Sequence, residues 1–389
     1  MEELVAPQDF DRSSEHVWLN CAHQGPLPRV AAEEAREAIV WKTALYRLND
    51  GLFSEVPLRL KRALGRLIHV PAEEIILGNS ASYGLHLLAN GIRWKSGDEV
   101  LLVKDDFPAD ILPWLALRDK GVRMRLIEPR GAVLQPDELE DYITKSTRLL
   151  CLTWIHSFNG HAVNAESLGQ ICRAKGVTFV LNCSQGLGAR PFRVASNWAD
   201  AVISVGFKWL CGPYGTGFCW MRPELCESLA YNQAYWLTEL RAEDLQKAQI
   251  EYESQATHGA EKYDVFGTAN FLNFKPWAAA VEYLLERGIE QIESHNDRLV
   301  SRLISGLDSA AYDLLSPREG KTRSSLLFIS ARDQSDNAGI YDALTQSGIH
   351  IAFRLGKLRF SPHLYNTDED IDRALSVLHS RAHGDFLPI

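Results

Sequence analysis

The sequence predicts an α/β protein: a large domain on a mainly parallel sheet covered by helices, then a smaller C-terminal α+β domain. Three observations predict it. Between about residues 58 and 222, short apolar runs alternate with amphipathic ones, the signature of strands joined by helices. The strand-like runs are continuously apolar, as strands buried on both faces must be. At 389 residues and 46% hydrophobic composition, the chain also exceeds the size at which single cores usually split. The division expected is an N-terminal segment 1–25, a large domain 26–274 and a small domain 275–389.

In chain order, the strands read as "EEIILGN", "DEVLLV", "VRMRLIEP", "RLLCLTWI", "VTFVLNCS" and "ADAVISVG". Helical patterns such as "SYGLHLLANGI" and "AESLGQICRAKG" lie between them. The run "NFKPWAAAVEYLLERGIEQIESHNDRLVSRLISGL" reads as one long helix, followed by strand-like "SSLLFIS" and "HIAFRLGKLRFSPHL". A last helix, "DEDIDRALSVLHSRA", is opened by Thr367 and Asp370 in a capping-box arrangement.

Composition removes several classes of function. A formal charge of −9, with no basic stripe, offers no field for nucleic-acid backbones. The seven cysteines form no CxxC pair and no disulfide-like spacing, which points to reduced, buried thiols. The 12 histidines form no HExxH, so no zinc or other metal is expected. No apolar run approaches the roughly 20 residues that cross a bilayer, and "MEELVAPQDFDRSSEH" is unlike a secretory signal. The expectation is a cytoplasmic protein.

Ligands of open α/β sheets bind beyond the carboxyl ends of the strands, so those ends supply the candidate groups. After "IILG" come Asn79, Ser80, Ala81 and Ser82, opening a helix. They are either an ordinary N-cap or a phosphate seat. Asn182 and Gln185, in "VLNCSQGLG", fall just past a strand and need partners if buried. Lys208 sits in "SVGFKWLCGPYGTGF" among aromatics and glycines. Its stem either lies on apolar surface with the head in water, or the amine is desolvated and becomes a nucleophile for Schiff-base chemistry. A phosphate seat, a ring-edge amide and a Schiff-base lysine in this order fit a site for pyridoxal 5'-phosphate.

The segments "NSASYGL", "DDFPADILPW", "VLNCSQGLGARPF", "SVGFKWLCGPYGTGF", "YDVFGTANF" and "LRFSPHLYNTDEDID" together resemble the class V aminotransferase family. This is the fold-type I group that includes isopenicillin N epimerase-like proteins, cysteine desulfurases and cysteine lyases. The resemblance implies that Lys208 carries the cofactor as a Schiff base and shuttles the proton at the substrate α-carbon. Ala81 and Ser82 fall at the cofactor phosphate, and Ser204 and Gly206 lie where the preceding segment approaches it. Phe107 stacks on the pyridine ring, and Gln185 bonds the ring 3′-oxygen. Thr268 matches a residue that reaches the phosphate from a neighbouring subunit, so a homodimer is implied. Arg359 grips the substrate α-carboxylate, a bidentate pairing. Asn20, His23 and His156 are further candidates for the substrate pocket. Trp114, Trp154, Phe158, Trp209 and Tyr214 either line that pocket or belong to the core.

Three departures qualify the resemblance. The family pattern has aspartate where this chain has Asn182, and that aspartate keeps the ring nitrogen protonated. Losing one partner of a buried ion pair costs about 3–5 kcal/mol, so an unprotonated nitrogen accepting from the Asn182 amide is expected. The ring would then stabilise a carbanion poorly, which favours lyase chemistry with a good β-leaving group over full amino transfer or epimerisation. Cysteine desulfurases also carry a catalytic cysteine before the substrate arginine, whereas no cysteine follows Cys226 here. Tyr83 stands where an acidic residue is common. The leading expectation is a lyase acting on an α-amino acid; aminotransferase, epimerase and a non-catalytic cofactor-binding regulator are the alternatives.

Overall fold

The computed structural model describes residues 7–230, 235, 236, 240, 244–249, 259–267 and 269–383. Its centre is a seven-stranded sheet. The strands are β1 (Ile75–Gly78), β2 (Glu99–Val103), β3 (Arg123–Ile127), β4 (Thr147–Thr153), β5 (Thr178–Asn182), β6 (Ala201–Val205) and β7 (Gly217–Met221). Their order across the sheet is β1-β7-β6-β5-β4-β2-β3. β7 runs antiparallel to both neighbours, and all other pairs are parallel. The six strands read from the sequence are all present. β7 was not among them, because "GTGFCWM" follows directly on the glycine-rich "GPY" and reads as loop.

Burial explains why these runs are strands. β2, β5, β6 and β7 have almost no polar face, which suits a layer covered on both sides. The edge strand β3 instead exposes Arg123, a charge that discourages pairing with another chain. At the opposite edge, Leu77 of β1 is closed off by local partners. Asp264 accepts from its N–H at 2.7 Å, and its carbonyl accepts from Val265 at 2.8 Å.

Helices α1 (Arg29–Thr43), α2 (Leu52–Ile68), α3 (Ala81–Gly91) and α4 (Ala165–Lys175) belong to this part of the chain. The region read as one long helix is two: α5 (Phe271–Arg287) and α6 (Ile289–Gly306). Gly288 separates them with φ +83°, a conformation open to glycine and poor for other residues. The expected 274/275 division therefore falls inside α5, which packs on α1 and α2.

A second, four-stranded sheet follows, wholly antiparallel. It consists of β8 (Tyr312–Leu314), β9 (Leu327–Ala331), β10 (Ala352–Arg354) and β11 (Lys357–Phe360), in the order β10-β11-β9-β8. α7 (Asn337–Gln346) and α8 (Asp368–His383) cover it. The expected capping box opens α8: Asp370 accepts from the Thr367 N–H at 3.1 Å, and Thr367 Oγ1 accepts from the Asp370 N–H at 3.3 Å. Among the described residues, no helix is long and apolar enough to cross a membrane.

Candidate active site

Six of the seven central strands point the same way, so their carboxyl ends share one edge. That edge gathers Ser80–Ser82 after β1, Asp106–Asp110 after β2, Asn182–Gln185 at the end of β5, and Phe207–Lys208 after β6. His156 follows β4 on the same edge, buried, with its Nδ1 accepting from the Phe158 N–H at 3.3 Å.

Lys208 keeps some access to solvent, yet its amine lies deep enough for burial to dominate its chemistry. Burial first, then the Arg359 cation, lower its pKa to about 8, while Asp110 opposes the shift. The amine stands 5.4 Å from the centre of the Phe107 ring. No ion pair or hydrogen bond holds that amine among the described residues. A lysine so placed gives up its proton more readily than an exposed one, which favours a nucleophilic amine over a snorkelling cation.

The N-terminal segment closes over this loop. Val17–Trp18 pairs in parallel with Ile349–His350, and Asn20 bridges to Ser361. The chain then crosses to the lysine loop, where Gly25 donates to the Phe207 carbonyl at 2.9 Å. Arg359, on β11, is 3% exposed, and its Nη2 donates to Asn20 Oδ1 at a long 3.4 Å. Its Nε finds no acceptor. Burial and Arg354 lower its pKa to about 10. His23 is exposed, and burial of its ring together with Arg354, Arg359 and Lys208 lowers its pKa. The cleft thus concentrates positive charge and leaves an arginine fork unfilled, as a site for anionic groups would.

Other sequence candidates fall around it. Ala81 and Ser82 occupy the first turn of α3, where their N–H groups have no acceptor among the described residues. Ser80 is the N-cap, accepting from the Tyr83 N–H at 3.3 Å, so the cap and the open first turn coexist. Tyr83 donates its hydroxyl to the Tyr263 carbonyl at 2.8 Å. Buried Gln185 accepts from Trp209 Nε1 at 2.9 Å and donates to the Ala22 carbonyl at 3.2 Å. Ser204 is buried, its hydroxyl donating to the Val205 carbonyl at 3.2 Å, and Gly206 donates to the Thr216 carbonyl at 3.0 Å. Phe107 is 37% exposed and stacks on Phe158 with ring centres 6.1 Å apart. Trp114, Trp154 and Trp209 are core, whereas Tyr214 is 71% exposed. Thr268 lies outside the described residues.

Two residues were missed by sequence reasoning. Arg354 adds to the positive field of the cleft. Asp110 is buried at the heart of it, with both carboxylate oxygens receiving the Asn182 amide at 2.9 and 3.0 Å. The only signal for Asp110 was its place in "DDFPADILPW", three residues after Phe107, to which the resemblance assigns ring stacking.

The model of the family Aminotransferase class-V matches residues 58–374. The chain belongs to that family. Among curated relatives, it is 25% identical to a probable cysteine desulfurase of Methanothermobacter thermautotrophicus, covering 94% of each chain. It is also 25% identical to the isopenicillin N epimerase of Streptomyces clavuligerus, over 93% of this chain and 94% of that one. The solved structure of the apo cysteine desulfurase from Thermococcus onnurineus superposes with a TM-score of 0.84 at 22% identity, covering 97% of both chains. A cystine C–S lyase in complex with cysteine persulfide gives a TM-score of 0.85 at 19% identity, over 94% of this chain and 97% of that one.

Pyridoxal phosphate is the cofactor of class-V aminotransferases, and the residues at the strand ends fit it. The free amine of Lys208 suits its aldehyde, the open N–H groups of α3 suit its phosphate, and the exposed Phe107 ring suits its pyridine face.

Proposed function

We propose that this protein is a pyridoxal-phosphate-dependent lyase that releases a β-substituent, such as a sulfur group, from an α-amino acid. One observation carries the reading: the unpaired Lys208 amine, with a pKa of about 8, shares a cleft with the unfilled guanidinium of Arg359. The relatives named as cysteine desulfurases and as a cystine C–S lyase support the choice of reaction. The chain has no cysteine after Cys226, so it lacks the late nucleophile that would take sulfur as a persulfide. A released sulfur group is the consistent alternative.

When bound, pyridoxal phosphate supplies an aldehyde for Schiff-base formation and a ring that withdraws electrons from the α-carbon. In this reading Lys208 holds it, then removes the proton from the substrate α-carbon as a free amine. Arg359 binds the α-carboxylate, with Asn20 setting its orientation. Phe107 covers one ring face and excludes water there. Ala81 and Ser82 hold the phosphate through backbone N–H groups at the positive end of α3. Gln185 keeps one amide hydrogen for the ring oxygen, and Ser204 and Gly206 shape the approach to Lys208. His23 and His156 border the substrate. A homodimer in which Thr268 serves the neighbouring site, a small domain that begins after α5 rather than at residue 275, and a cytoplasmic location complete the proposal. The location is supported by seven buried cysteines, none of them paired.

The test is a visible absorption band, abolished by borohydride, in protein incubated with the cofactor. An amino-acid screen then measures pyruvate and ammonia release beside keto-acid-dependent exchange. Release without a keto acid is expected with a sulfur-substituted amino acid. Exchange only with a keto acid would make the protein an aminotransferase, and absence of the band would remove the cofactor reading itself.

A further inference from the structure

We propose that Asp110 supplies the negative charge opposite the ring nitrogen of pyridoxal phosphate that position 182 lacks, with Asn182 positioning its carboxylate. This rests on the cofactor reading above and changes what that reading says about the ring.

The Asn182 side chain is not left to accept or donate freely. Its Nδ2 donates to Asp110 Oδ1 at 2.9 Å and Oδ2 at 3.0 Å, and its Oδ1 accepts from the Ser184 N–H at 3.0 Å. The amide is therefore held as a bracket for a carboxylate. An asparagine whose purpose was to cap an unprotonated ring nitrogen would not need a buried anion behind it.

Asp110, in turn, is under-served. Five aspartates are buried among the described residues. Asp106 accepts from Phe107 N–H at 2.7 Å and from Thr153 N–H and hydroxyl at 2.9 and 2.6 Å. Asp200 faces Arg173 and Arg222, Asp264 faces Lys61, and Asp370 faces Arg12. Asp110 alone has neither a paired cation nor three close donors. Besides Asn182 it has only the Cys151 thiol, at 3.9 Å. A 1%-exposed carboxylate with so little support is expensive as an anion unless a cation arrives. Burial and the neighbouring Asp106 hold its pKa well above the usual carboxylate range.

The missing cation has a natural source. Asp110 ends the turn that begins at Phe107, its N–H donating to the Phe107 carbonyl at 2.9 Å, and its charge is felt at Lys208. It thus shares a turn with Phe107, on the sheet edge from which its charge reaches Lys208. With the cofactor bound, Asp110 and the ring nitrogen would share one proton, held on the nitrogen as a pyridinium beside the carboxylate that Asn182 brackets. No electrons move and nothing else is required. The charge the family usually carries at the end of β5 is here carried one loop away, and position 182 keeps the hydrogen-bonding role.

The deciding measurement is nitrogen NMR of protein loaded with pyridoxal phosphate labelled with 15N in the ring. The native protein is expected to show a protonated ring nitrogen. Asp110→Asn is expected to shift that resonance to the unprotonated position. The exchange variant Asp110→Asn with Asn182→Asp, which preserves the composition of the pair, is expected to restore it. An unprotonated nitrogen in the native protein overturns the proposal, as does a protonated one in Asp110→Asn. Should Asp110→Asn fail to fold, the native and exchange spectra still decide, because an exchange variant lacking the protonated signal is also contrary. A native protein that forms no borohydride-sensitive band would instead refute the cofactor reading, so the two failures are distinct.

Discussion

Gly25 donates its N–H to the Phe207 carbonyl at 2.9 Å, fastening the N-terminal segment to the loop that carries Lys208. The approach leaves no room for a side chain: a Cβ at Gly25 would lie 2.1 Å from the Lys208 carbonyl oxygen. Gly25→Ala must push the two backbones apart, and overpacking of this kind costs roughly 1–3 kcal/mol. A lowered urea midpoint and weaker cofactor retention are expected together. Lowered stability with unchanged retention would mean that the segment does not shape the site.

Lys208 has a pKa of about 8 against an ordinary 10.5. Its reaction with an aldehyde should therefore rise with pH and level off above about 8, about two and a half units earlier than an exposed lysine. Stability has a matching sign. The unfolded chain binds this proton more tightly than the fold does, so the charged amine penalises the fold fully below pH 8. The penalty is relieved as pH rises from 8 to 10.5. By the conversion of 1.36 kcal/mol per unit it is at most about 3 kcal/mol, reduced by the solvent access the side chain retains. Lys208→Met in the cofactor-free protein is expected to melt higher at pH 7, with the advantage shrinking above pH 8. A variant that melts lower at pH 7 would contradict the burial of this charge.

The central sheet was legible because its strands are buried on both faces and so advertise themselves as unbroken apolar runs. β7 was hidden by the glycines that precede it, and the division of α5 from α6 rests on a single residue, Gly288. Lys208 and Arg359 stood out as candidates only because their flanking motifs are distinctive. Asp110 was not legible. A carboxylate in a loop has no periodicity, and its importance depends on Asn182, 72 residues away in sequence, lying against it. The sequence alone therefore suggested a ring without its counter-charge, whereas the fold supplies a carboxylate beside the amide.

Thr367 and Asp370 form the reciprocal cap that opens α8, at 3.1 and 3.3 Å. Replacing an N-cap threonine by alanine typically costs about 1 kcal/mol. Thr367→Ala is expected to lower the unfolding free energy measured in urea by that amount while leaving the cofactor band unchanged. Asp370 has further duties, accepting from Arg12 at 2.8 Å and from Asn366 at 3.0 Å. Asp370→Asn is accordingly expected to destabilise more than Thr367→Ala, and the reverse order would show that the cap, not the ion pair, dominates this corner.

Arg359 separates a binding role from a structural one. It is buried beside Arg354, its Nε has no acceptor, and its contact to Asn20 is 3.4 Å long. A cation so poorly compensated adds little to folding, and removing it relieves desolvation and like-charge repulsion. With a pKa of about 10, it stays charged through neutral pH. Hydrogen bonds to charged groups are worth about 1.5–3 kcal/mol, which is roughly a 10- to 150-fold factor at 1.36 kcal/mol per tenfold. Arg359→Met is therefore expected to lower kcat/KM by that factor, mainly through KM, while its melting temperature holds or rises. Arg359→Lys keeps the charge but not the two-pronged fork, and should recover only part of the loss. A fall in melting temperature with KM unchanged would make Arg359 a structural residue and leave the substrate carboxylate without its partner.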